Sequence, residues 1–168
     1  MEPRHSGPFL LYDKDAAGII LHDVLFAPFF AGAAGAGQCW HWDRYVDKMK
    51  LWHHFGRFAE VVKGLDPPAE GFEPLRLDHP RLRVYVLQGR RTTLVWARDK
   101  ENTWESELKE GRAPGPVTGA VLDLGNAGEG AARIYDPWSN RWTEGRLAAG
   151  KLALPEFTRS IAARLESR

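Results

Sequence analysis

Trp40, His41, Trp42 and Asp43 stand in one run, at the end of an apolar stretch that passes through Gly and Ala: LFAPFFAGAAGAGQCWHWD, from Leu25 to Asp43. Two indoles beside a carboxylate can hold a sugar ring, because the apolar C–H faces stack on the indole and the hydroxyls bond to the carboxylate. The same residues also read as two core tryptophans and a solvated Asp, since large aromatics are mostly buried. Small residues from Gly32 to Gly37 let one backbone approach another closely. If Gln38–Trp42 is a strand, His41 faces opposite to its two Trp neighbours. It is then either a hydrogen-bonding residue in a sugar cleft or a residue packed under the following helix.

Other chemistry-bearing residues point less far. His53 and His54 are adjacent and cannot share one helix face, so the i, i+4 pairing of a zinc site is absent. Cys39 is the single cysteine, which excludes an intrachain disulfide and a four-cysteine zinc site; with Ser6 it lacks a nucleophile's setting and reads as a small buried hydrophobe. Gly32-Ala-Ala-Gly-Ala-Gly37 follows a helix and lacks the order of a dinucleotide loop. No cofactor and no metal is expected. His22 and Asp23 read as helix-surface residues. Trp96, Trp104, Trp138 and Trp142 could line a carbohydrate-binding face; alternatively some fill a core and others brace the junction with the helical half.

The elements that must position these residues divide the chain near Gly64-Leu-Asp-Pro-Pro68. Residues 1–66 read as a partial α/β segment and residues 67–168 as a β-sandwich. Leu21, Leu25, Phe29 and Ala33 recur at helical spacing, with Asp15 a possible N-cap, Pro28 a kink, and Gly32–Gly37 the end. Leu51, Trp52, Phe55, Phe58, Ala59 and Val62 form a second helical stripe, stopped by Gly64 and Pro67. Short strands are expected at Pro8–Tyr12 and Gln38–Trp42. After Pro68 the period becomes two: 82–87 and 92–97 read as a hairpin across Gln88–Arg91, and further strands fall at 119–124, 131–135, 141–147 and 158–165. The 109–116 segment is a loop. Such short, closely spaced strands argue for an antiparallel sandwich or barrel.

Length and composition leave room for one sizeable core in the 168 residues. With 43% apolar and 27% charged residues the chain is ordinary for a globular protein, and a net charge of +1 gives no reason to expect nucleic acid or an anionic membrane as partner. The longest apolar stretch is too short and too Gly-rich to span a bilayer, and nothing at the N-terminus reads as a signal peptide, so a cytoplasmic location is the default expectation.

The run GIILHDVLFAPFFAGAAGAGQCWHWDRYVD, followed by LWHHFGRFAEVVKGLD, resembles the end of the catalytic (β/α)8 barrel in cellulase-like glycoside hydrolases. There a seventh helix leads through small residues to an eighth strand of the form GxxxWWWD, then a final helix and a C-terminal β-sandwich. The run from Thr93 to Trp104, the hairpin from Arg133 to Trp142, and the closing strands from Gly150 to Phe157 and Ser160 to Leu165 resemble segments of that sandwich. The resemblance implies an α+β chain: an antiparallel β-sandwich preceded by a two-helix remnant of a barrel. It also implies that Trp40, His41, Trp42 and Asp43 face carbohydrate.

Retaining glycosidases need two carboxylates roughly 5 Å apart. In the resembled family the acid/base Glu lies upstream of Met1, and no Glu follows the seventh-strand candidate Gly7–Tyr12; Asp13 and Asp15 are the substitutes at hand. The chain is therefore expected to be catalytically silent alone. The alternative is a stand-alone module that binds a glycan or a protein. If the barrel is missing, the Ile19–Phe30 segment should expose an apolar surface. Self-association, or a partner chain supplying the barrel, would then cover it.

Overall fold

The computed structural model describes residues 9–125 and 128–166. Helices α1 (Phe9–Tyr12) and α2 (Ile19–Phe30), a π-helical turn (Trp42–Asp47), α3 (His53–Val62) and α4 (Pro67–Glu70) come before all the described strands. The strands are β1 (Glu73–Leu77), β2 (Leu82–Gln88), β3 (Thr92–Asp99), β4 (Pro116–Val117), β5 (Val121–Asp123), β6 (Gly130–Asp136), β7 (Arg141–Ala148), β8 (Lys151–Ala153), β9 (Phe157–Thr158) and β10 (Ser160–Glu166), with a second π-helical turn at Glu105–Lys109.

Eight strands form one antiparallel sheet in the order β1-β2-β3-β10-β6-β7-β8-β5, and β4 pairs with β9. The pairing does not divide into the two sheets expected of a sandwich; a single sheet curls toward a barrel. Alternation decides what it encloses. On the inner face Val84 lies opposite Ala97, Val86 opposite Val95, and Ala163 opposite both Val95 and Ile134. These join Leu122, Leu147, Leu152 and Phe157 in one buried cluster. On the outer face Leu87 lies opposite Leu94, and Ala162 opposite both Trp96 and Tyr135.

That outer face is not in solvent. Leu87, Leu94, Trp96, Tyr135 and Ala162 share a second buried cluster with Leu21, Leu25, Phe26, Phe29 and Phe30 of α2, with Tyr45 and Val46, and with Leu51 and Val61 around α3. Apart from His22 and Asp23, helix α2 is apolar on all sides, the pattern of a helix enclosed by protein. The exposed apolar segment expected at Ile19–Phe30 therefore does not exist in this chain. Phe26 and Phe30 are wholly buried, and their rings stand 5.8 and 6.0 Å from that of Trp96. The outer face of the sheet covers the helix surface that a barrel was expected to cover.

Two local expectations change, and one short helix is added. Neither early strand forms among the described residues: 9–12 is helical, 38–40 is irregular, and Trp42 opens a π-helical turn. Pro8 and Ser6 lie outside the described residues. With no neighbouring strand to bond, such a segment satisfies its backbone by turning on itself. The buried face of α3 is shifted by one position: Leu51, His54 and Val61 face inward, whereas Trp52 and Phe55 are 48% and 39% exposed. Finally, α4 clamps the β2–β3 hairpin, because the Glu70 carboxylate accepts from Arg91 N, Thr92 N and Thr92 Oγ1 at 2.9, 3.1 and 3.1 Å. Charge-assisted bonds from these donors hold Glu70 below its ordinary pKa against the opposing effect of burial.

Candidate functional site

The Trp40–Asp43 segment is held from behind. Pro28 has no N–H to give to the Val24 carbonyl one turn earlier. Gly37 packs at that carbonyl, where a Cβ would overlap both the Val24 oxygen and the Pro28 ring. The close approach expected of the small-residue run is thus realised at Gly37.

Beyond the aromatic residues, the π-helical turn is pinned by Tyr45. Its hydroxyl donates to Asp15 Oδ2 at 2.5 Å and accepts from Leu21 N at 3.2 Å, and its ring stacks on Tyr12 with centroids 4.2 Å apart. Asp15 is fully buried, and its carboxylate also accepts from Ile19 N and Ile20 N at 2.8 and 2.9 Å. It serves the first N–H groups of α2 from outside the helix; the N-cap position expected for Asp15 is held by Gly18, in the left-handed conformation. Burial first, and then the neighbouring Asp15, push the Tyr45 hydroxyl well above the usual tyrosine range, so it remains a donor.

With Tyr45 and Val46 turned inward, the other side of the turn faces water. Trp40 is 88% exposed and Trp42 58%. The core reading of these two indoles does not hold. They border an open cleft of about 520 Å³ together with Gln38, Cys39 and Asp43. His41 is half-buried, its ring 5.9 Å from Tyr12; it turns away from its exposed neighbours, although no strand imposes the alternation. The structure thus brings Trp40, Trp42 and Asp43 to one cleft and sets His41 behind it. Of the two carboxylates weighed as catalytic substitutes, Asp15 is committed to α2 and Tyr45, and the exposed Asp13 pairs with Lys48 at 2.7 Å. Among the described residues no group of three or more His, Cys, Asp and Glu is placed to hold a metal ion.

No family model matches the chain. No curated protein matches it either. Among solved structures it is similar to a GH30 endoxylanase from Clostridium papyrosolvens C71, at 10% sequence identity and a TM-score of 0.44; the likeness covers 69% of this chain and 27% of that one. The chain thus spans about a quarter of the length of the structure it matches.

A second polar constellation was not legible as such. His22 and Asp23, expected on a helix surface, lie at the helix–sheet junction. His22 Nε2 is 2.7 Å from Ser160 Oγ, which also accepts from Trp138 Nε1 at 2.9 Å. His22 and Ser160 are both fully buried, so the pair cannot reach a substrate and is structural. Asp23 takes both Arg98 Nε and Nη2, at 2.9 and 3.3 Å. Arg98 continues to Asn102 Oδ1 and the Arg159 carbonyl, and the Arg159 side chain is bidentate to Glu107 at 2.8 and 2.7 Å.

Of the remaining tryptophans, Trp96 is buried under α2 and Trp138 sits against His22 at 4.6 Å, bracing the junction as one of the two readings had it. Trp142 lies on Tyr135 at 4.8 Å, and Trp104 is exposed. The missed signal was the spacing of His22 with Ile19 and Phe26 along α2, three and four residues away on its buried face.

Proposed function

We propose that this chain is the C-terminal portion of a glycoside-hydrolase-like protein and that its own contribution is a carbohydrate-contacting aromatic wall, without catalysis. In this reading the curled sheet is the sandwich-like support, and α2 and α3 are the last helices of the barrel. One observation carries it: Trp40 and Trp42 hold their indoles in water beside Asp43, around an open cleft. Leaving an indole in water forgoes roughly 2 kcal/mol of burial, which a sugar's C–H face restores. Asp43 supplies acceptors and Gln38 both donors and acceptors for hydroxyls. Among the described lining residues Asp43 is the one carboxylate, whereas hydrolysis of this type needs two.

A specific observation favours the second reading, a stand-alone glycan-binding module: the helices already have their cover in the sheet of the same chain. Titration of the isolated chain with neutral β-linked oligosaccharides, followed by tryptophan fluorescence and calorimetry, tests both. Binding by the isolated chain is the module's result; binding only after a barrel-bearing chain is added is the portion's result.

In either case Trp40→Ala and Trp42→Ala should each weaken binding about tenfold, the equivalent of 1.4 kcal/mol for one lost stacking face. Affinity unchanged in both variants removes the aromatic wall from the account. The purified chain should also release no leaving group from aryl glycosides above background. Turnover abolished by Asp13→Ala or Asp15→Ala would overturn the non-catalytic assignment.

A further inference from the structure

His22 on α2 and His54 on α3 face each other across the junction of the two helices with the sheet, ring centroids 6.0 Å apart. Both are fully buried. Trp138 lies against both, at 4.6 and 5.7 Å. Backbone packing is tight as well: Gly18, at φ +73°, lies so close that a Cβ would overlap the His54 ring.

Each ring has one partner and one orphan. His54 Nε2 is 2.9 Å from the Ala17 carbonyl, which can only accept, so that nitrogen carries the proton and Nδ1 is bare. His22 Nε2 meets Ser160 Oγ, and its Nδ1 is buried without a partner, as is that of His54. In the charged form both nitrogens of a ring are donors, so either imidazolium would hold a buried Nδ1–H with nothing to bond.

The charges around the pair do not compensate. Arg57 and His53 approach from α3, Arg98 from β3 and Arg159 from the residue between β9 and β10. Asp23 on α2 is already bidentate with Arg98, and Glu107 with Arg159. We infer that the His22–His54 pair is an acid-sensitive latch: protonation releases the helical layer from the outer face of the sheet.

The direction follows from linkage. Burial, reinforced by the neighbouring cations, holds His22 well below its ordinary pKa, and burial takes His54 to about 4. Their contribution to docking is complete above the unfolded value of about 6.5 and is lost as pH falls below it. Between pH 7.5 and 5.0 the His54 contribution alone raises the undocked fraction roughly 30-fold, and His22 adds to it in the same direction.

The test follows the full chain across that range. Amide exchange, corrected for its intrinsic pH dependence, should accelerate in α2 and α3 more than in β3 and β10, and an apolar dye should bind as α2 is uncovered. The double variant His22→Gln, His54→Gln should show no such acceleration; an equal pH response in it overturns the inference. Should the variant fail to fold, imidazole NMR of the unmodified chain decides. Both rings neutral down to pH 5 in the docked state supports the latch, and ordinary titration near 6.5 with the helices still docked refutes it.

Discussion

A chain shortened to begin at Gly71 is expected to lose cooperative folding, even though it retains all the described strands. Without α2, α3 and the π-helical turn at Trp42–Asp47, the outer sheet face is open to water at Leu87, Leu94, Trp96 and Tyr135. At about 1.5–3 kcal/mol per large apolar side chain, the four contribute roughly 6–12 kcal/mol. That is comparable to the 5–15 kcal/mol by which an entire domain is stable. The shortened chain should bind an apolar dye, self-associate, and lack the near-ultraviolet circular dichroism of a fixed Trp96. A sharp melt from a monomer, with that signal intact, would show that the sheet stands without its helices. The inner cluster would then be sufficient by itself.

Replacing Asp15 by Ala should be the most damaging single change in the helical layer. The carboxylate receives Ile19 N, Ile20 N and the Tyr45 hydroxyl in a site without solvent. Its removal strands two buried donors and a third, Ile20 N, that is partly buried. Stranded donors cost about 1–3 kcal/mol each before relaxation, so a loss of roughly 3–5 kcal/mol is expected in urea unfolding at neutral pH. Tyr45→Phe, which removes one donor from Asp15 and the acceptor of Leu21 N but leaves the carboxylate its two backbone partners, should cost about 1–3 kcal/mol. It should also loosen the turn that follows Trp42. A shift below about 1 kcal/mol in Asp15→Ala would mean that water enters and replaces the carboxylate.

The β half was legible wherever a strand has neighbours and a clean alternation. Leu82-x-Val84-x-Val86 and the Gln88–Arg91 turn name the hairpin directly, and β6 alternates at Ala132 and Ile134; β7 and β10 do not alternate cleanly and are legible only as β-forming runs set off by turns. Strand β1 was not, because Glu-Pro-Leu-Arg-Leu is a poor strand former that forms only as the edge of an existing ladder.

The opposite error occurred at Gln38–Trp42. Its aromatics suit a strand, but strand propensity expresses packing against a partner, and none is there. On α3 the aromatic Phe55 outweighed His54 in the apolar count, although Leu51, His54, Phe58 and Val61 make an equally regular stripe. For the candidate site, the residues were visible and their exposure was not. Exposure of Trp40 and Trp42 depends on Tyr45 being drawn inward to Asp15, a pairing 30 residues apart.

The position of β10 also governs how the molecule is made. This last strand lies between β3 and β6, at the centre of the sheet. A nascent chain that has completed β3 must add about 60 more residues before that strand's second edge is filled. At 5–20 residues per second the wait is roughly 3–12 s. Throughout it, Leu94, Val95 and Trp96 lie on an unpaired edge, a template for any other extended chain. Collapse onto the native register is therefore expected to be slow, with aggregation competing before the sheet has closed and not after.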